Sequence, residues 1–224
     1  MQTVDEVVAR LEAIDGELDA LDGVACFNRM YLTVTRLVRD RLGAEFFADP
    51  AAMHILDVTF ANLYLAAVDA DRFGDRVSPA WKPLFARRAD GSIASIQFAI
   101  AGMNAHINHD LAVAVVATCV QLGGAPSDGS FHEDYLKVNE LLGQVVQEVR
   151  QSFLGGVALE VDEELSPVLD LVDRWSIEKA RDAAWVNAEV LWALRRVPFM
   201  TEAFGDTLAS SVGLVTGTLL ASLR

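Results

Sequence analysis

Residues 102–111, GMNAHINHDL, set two of the chain's four histidines, two asparagines and an aspartate inside an otherwise apolar stretch. At about 100° per residue, His106 and Asp110 fall within about 40° of each other on one helix face, with His109 about 60° to the other side of His106. Gln97, Asn104 and Asn108 form a second polar rail opposite. Ile96, Phe98, Ile100, Met103, Ile107, Leu111 and Val113 occupy the positions between. A helix apolar all round is a central, buried one. Both rails are therefore expected to face protein, where polar groups must be paired.

Three readings fit these residues. In the first, His106 and Asp110 supply two metal ligands one turn apart. His54 or Asp57, on one face of an earlier helix, completes an open site for one zinc or iron ion, with His109 as a further donor. Such an ion lowers the pKa of a bound water for hydrolysis. In the second, a histidine oriented by a buried aspartate in an apolar pocket acts as a base near neutral pKa. That suits metal-free isomerase, cyclase or lyase chemistry on an apolar substrate. In the third, the same groups only bridge helices in a non-catalytic binding or scaffold protein. The expected catalytic set is His106, Asp110 and Asp57. Asn28, Tyr31, Asn104, Asn108 and Arg181 are expected to hold polar substrate groups, and Trp175 and Trp185 to wall an apolar part. The order of preference is a one-metal hydrolase, then the metal-free enzyme, then the scaffold.

The elements that must position these groups are helices. Thr3 caps a first helix that ends near Gly23, and a second runs from about Ala25 to Leu42. Asp49-Pro50 is an N-cap followed by proline at the first helical position, opening a third helix to about Asp71. Residues 72–91 read as loop, with Pro79 starting a short helix. Ser92 is expected to cap the central helix, about 93–122, which Gly123-Gly124 stops. Further helices are expected over Phe131–Phe153, 163–172, Ser176–Arg196 and from Thr201 onward, with His132 exposed in a first turn. No stretch alternates with period two. The expectation is a single all-α domain over residues 1–224, a bundle of about seven or eight helices around the buried central one.

Charge and composition narrow the partners. A formal net charge of −14 repels nucleic acid and anionic membrane surfaces. The chain is 52% hydrophobic with two cysteines, each in an apolar run, so buried free thiols are expected. The acidic, amphipathic N-terminus is no signal peptide. Leu208–Leu223 is the longest weakly polar stretch and falls short of the roughly 20 residues a spanning helix needs. There is no Gly-rich phosphate loop, nucleophile elbow or HExxH, so no nucleotide cofactor is expected. A cytoplasmic protein acting on a small, partly apolar molecule is the expectation. The apolar terminal helix adds a possible homodimer.

The phrases FNRMYLTVTRLV (27–38), FFADPAAMHILDVTFANLYLAAVD (46–69), IQFAIAGMNAHINHDLAVAVV (96–116) and RWSIEKARDAAWVNAEVLW (174–192) carry a resemblance. The chain resembles a bacterial family, common in actinobacteria, that is catalogued as a domain of unknown function. The resemblance covers most of the chain and implies a complete family member, but no activity. A looser likeness runs to all-helical hydrolases of the zinc-dependent phospholipase C type, which also carry His-x-x-x-Asp on a buried helix. His106 and Asp110 match that spacing, whereas the second His-x-x-x-Glu pair of that group is missing here. The likeness therefore implies one metal at most.

Overall fold

The computed structural model describes residues 1–142 and 176–221, all helix, turn or loop with no strand among them. The chain is an all-α bundle, as the periodicity predicts. Its helices are α1 (Val4–Glu17), α2 (Gly23–Leu42), α3 (Pro50–Phe73), the short α4 (Lys82–Arg87), α5 (Ser95–Ala105) and α6 (Leu111–Leu122). Residues 131–142 form α7, followed by α8 (Ile177–Leu194) and α9 (Pro198–Leu219). The helix expected over 163–172, residues 143–153 of the expected helix from Phe131, and Trp175 lie outside the described residues.

Local chemistry sets the helix starts. Thr3 accepts the Glu6 N–H at 3.2 Å. Asp49 accepts the Ala52 N–H at 3.0 Å ahead of Pro50, as its side chain and position predict. Gly23 does not end the first helix. That helix stops at Glu17, and Asp22 caps α2 by accepting the Val24 N–H at 2.8 Å. Gly23 instead lies in the first turn of α2, where a side chain would collide with the Phe98 ring of α5. Ser92 does not cap the central helix either, because its hydroxyl is bonded to Asp90 at 2.6 Å. Ala94 takes the cap position, its N–H bonded to Gln97 Oε1 at 3.2 Å. The last helix opens at Pro198 rather than Thr201. The Thr201 hydroxyl reaches back to the Leu194 carbonyl at 2.8 Å and ties α9 to α8.

The central helix is not continuous. Between α5 and α6, residues His106–Asp110 form one π-helical turn, in which the Leu111 N–H reaches the His106 carbonyl five residues back. One extra residue per turn rotates α6 by about 100° against an unbroken helix, and such turns recur at functional sites. The rotation divides the interior. α5 packs with α1, α2, α4 and α9 in one apolar cluster, while α6 packs with α7, α8 and the first half of α3 in another. Phe60, Met103 and Leu208 touch both clusters. The π turn therefore lies at the seam between two cores, bringing His106 and Asp110 there, each 2% exposed.

The second polar rail is a clamp for the last helix. Gln97 Nε2 donates to the Leu219 and Ala221 carbonyls at 2.9 and 3.1 Å. Asn104 Nδ2 donates to the Val212 carbonyl and the Thr216 hydroxyl at 3.2 and 3.0 Å, and Asn104 Oδ1 accepts from Asn108 at 3.0 Å. The Gln97 bonds satisfy carbonyls at and just beyond the C-terminal end of α9 that the helix itself cannot. Among the described residues, one helix, α3, is long and apolar enough by length and composition to cross a membrane. Half of its apolar window is buried inside the protein.

Candidate active site

The site is built on Asp110. Its Oδ2 accepts from His106 Nδ1 and from Trp81 Nε1, each at 2.9 Å. Its Oδ1 faces His109 Nδ1 at 2.7 Å. Burial alone would raise the Asp110 pKa, but the bonds from His106 and His109 outweigh it and hold the carboxyl below its ordinary range. An ionised carboxylate only accepts, so His106 must carry its proton on Nδ1. Burial also lowers the His106 pKa below 6.5, against the pull of Asp110. His106 is thus a neutral imidazole with its lone pair on Nε2. That atom is buried and has no hydrogen-bond partner among the described residues.

Aromatic rings surround the imidazole. Phe60 of α3 stacks on it, with centroids 3.5 Å apart and planes 5° from parallel. Tyr31 meets it edge-on at 4.6 Å, and Phe27, Trp81 and Tyr64 stand 5.8, 5.9 and 6.0 Å away. Gly102 makes this packing possible, since a side chain there would run into the Phe27 ring. Four buried side-chain polar atoms are unpartnered among the described residues. Three of them, His106 Nε2, Tyr31 Oη and Asp57 Oδ2, belong to this region. Asp57 lies one turn before Phe60 on the same face of α3, and the Phe60 ring that stacks on His106 also meets the Tyr31 ring edge-on at 6.0 Å. Thr35 also lies by the phenol, but its hydroxyl is bonded to the Tyr31 carbonyl at 2.9 Å. Asp57 as a whole residue is half-buried; its Oδ2 is sealed off, and burial pushes the carboxyl pKa up to about 7. Burial likewise pushes the Tyr31 phenol well above its ordinary range.

The structure thus brings His106, Asp110, His109, Asp57 and Tyr31 together and disperses the other expected site residues. Asn28 spends its amide on the Leu11 carbonyl at 2.9 Å and accepts from Tyr64 at 3.3 Å. Asn104 and Asn108 belong to the α9 clamp. Arg181 lies in the second core, bonded to Asn139 Oδ1 and the Tyr135 carbonyl at 2.6 Å each and 4.1 Å above the Tyr135 ring. Trp185 is also there, stacked at 4.1 Å on His132, which is half-buried by that contact rather than exposed. His54 is half-buried on α3 and makes no hydrogen bond to described residues. No group of three or more His, Cys, Asp or Glu side chains able to hold a metal occurs among the described residues. Both Asp110 oxygens are already engaged by N–H donors.

Sequence reasoning did not assign Trp81, Phe60, Phe27 and Tyr64 to the site. A signal existed for two of them. Phe60 and Tyr64 follow Asp57 at helical spacing on α3 and share its face. Trp81 gave none, because it reaches Asp110 from the loop-like stretch 29 residues earlier.

No curated protein and no solved structure matches this chain. A family model, that of a family of unknown function, matches residues 4–222. The chain therefore belongs to this family of unknown function, DUF5995.

Proposed function

We propose that the protein is a metal-free acid–base enzyme of isomerase, cyclase or lyase type acting on a small apolar molecule. One observation carries this reading. The Nε2 of an Asp110-oriented, neutral histidine is buried in an aromatic shell and bonded to nothing described. A buried polar atom left unpaired costs about 1–3 kcal/mol, a cost that persists where the atom has work to do. His106 takes a proton at Nε2 while Asp110 stabilises the imidazolium that forms. Asp57, with a pKa of about 7, is partly protonated near neutrality and is the acid partner of this base. The test is deuterium incorporation from D2O into a panel of apolar alcohols, esters, alkenes and ketones, with and without chelator. Exchange that survives chelator and disappears in His106→Ala is the expected result. No exchange above background in the wild type overturns it.

A second reading keeps one zinc or iron ion. A histidine that donates Nδ1–H to a carboxylate and leaves Nε2 free also matches how metal-bound histidines are oriented. His106 Nε2 and Asp57 Oδ2 would hold the ion, which would supply hydrolytic chemistry. Elemental analysis separates the two readings: about one equivalent of metal, lost in His106→Ala, favours the second.

The same proposal makes the protein soluble and cytoplasmic, a location its two buried, unpaired cysteines suit. A homodimer through α9 belongs to it as well, since Phe199 and Leu214 are 73% and 76% exposed there.

A further inference from the structure

We infer that the substrate is a flat, uncharged, apolar ketone whose carbonyl oxygen is bound by Tyr31 and Asp57 together, while His106 Nε2 removes the proton from the neighbouring carbon. This rests on the acid–base reading above and adds the substrate class to it.

Four observations point to this class. First, the three unpartnered atoms differ in what they offer. His106 Nε2 can only accept, Tyr31 Oη can donate, and Asp57 donates when protonated. Asp57 stands one turn from Phe60, whose ring meets that of Tyr31 at 6.0 Å, so the two buried, unpartnered groups flank one region and their protons can be offered to one oxygen. Second, burial keeps both groups in the donating form. The phenol does not ionise near neutrality, and the carboxyl is partly protonated there. A neutral acid and a phenol facing one oxygen, inside an apolar site, form an oxyanion hole that needs no cation. Third, no Lys or Arg forms an ion pair or hydrogen bond with His106, Tyr31, Asp57 or Asp110 among the described residues. A phosphate or carboxylate would arrive beside Asp110 with nothing to neutralise it. Fourth, the shell is made of Phe27, Phe60, Tyr64 and Trp81, whose ring faces favour a flat unsaturated partner.

The reaction balances without a cofactor. His106 Nε2 takes H⁺ from the carbon next to the carbonyl. The C–H electron pair becomes a C=C bond, and the carbonyl π pair moves onto oxygen, where the Tyr31 and Asp57 protons hold the charge. In a β,γ-unsaturated ketone the imidazolium then returns the same proton to the γ-carbon, and the carbonyl re-forms. The double bond has moved and nothing else has changed.

Binding of an unreactive enol mimic tests this apart from turnover. The probe is 2-naphthol, compared with naphthalene and 2-naphthoate, measured by naphthol fluorescence and by equilibrium dialysis below neutral pH. The wild type is expected to prefer 2-naphthol to both others by about tenfold or more, one hydrogen-bonded oxygen's worth. Tyr31→Phe and Asp57→Leu should each bring naphthol to within about threefold of naphthalene, without weakening naphthalene. Unchanged naphthalene binding also shows that the variants have kept the fold. Equal binding of naphthol and naphthalene, tighter binding of naphthoate, an unaltered preference in Tyr31→Phe, or no binding of any probe overturns the inference. If naphthol binds as expected while the deuterium-exchange panel shows nothing, the substrate class stands and the acid–base reading falls.

Discussion

Asp57→Asn should make the protein more stable at alkaline pH and less active. Burial moves this carboxyl from a pKa of 3.8 to about 7, and its charge in turn raises the Tyr31 phenol of α2. Between those values the native chain holds a proton that the unfolded chain has released. Stability therefore falls as pH rises through this window, the opposite of a salt-bridged carboxylate. The full shift corresponds to about 4 kcal/mol. Because the residue is half-buried, water relieves part of the cost, and about 2–4 kcal/mol is the expected range. Asparagine has the same shape and cannot ionise. The difference in unfolding free energy between variant and wild type should then be small near pH 4. It should grow in the variant's favour by that amount by pH 8. Urea denaturation followed by circular dichroism at several pH values measures it, and every other titrating group cancels in the difference. A difference that stays constant from pH 4 to 8 refutes the reasoning. A stabilised variant with undiminished turnover would remove Asp57 from the reaction and favour the scaffold reading.

Other outcomes follow from the same contacts. Turnover should show a bell-shaped pH profile that chelators leave unchanged. Its acid limb lies below 6.5, where His106 charges against Asp110 and His109, and its alkaline limb near pH 7, where Asp57 ionises. Trp81→Phe keeps the ring but removes the indole N–H from Asp110, and should cost about 1.5–3 kcal/mol of stability in thermal or chemical melts. It should also shift the acid limb of the profile, which a purely structural loss would leave in place. Asn104→Ala strips two hydrogen bonds from the α5–α9 clamp. It should cost about 1–3 kcal/mol while leaving probe binding at Tyr31 unaltered.

Features of this fold that depend on near neighbours were legible in the sequence. Thr3 and Asp49-Pro50 mark helix starts because a cap acts within three residues. The His106–Asp110 pair was legible because four residues along a helix return a side chain to the same face. The π turn was not, since one inserted residue leaves no mark in composition. Trp81 was missed because its bond to Asp110 depends on how α4 folds over the bundle. Arg181 and Trp185, expected at the substrate, share one face of α8, but that face turns toward Tyr135 in the second core, not toward His106. Which face meets which helix depends on the rotation that the π turn introduces, and no helical periodicity records it.

The central claim is that His106 is a neutral base with an open Nε2. Nitrogen-15 NMR of the imidazole ring nitrogens across the pH range tests it most directly, with His106→Gln used for assignment. The account predicts a protonated Nδ1 and a bare Nε2 at neutral pH, with a second proton taken up only below pH 6.5. A protonated Nε2 with a bare Nδ1, or an imidazolium that persists at neutral pH, would contradict it.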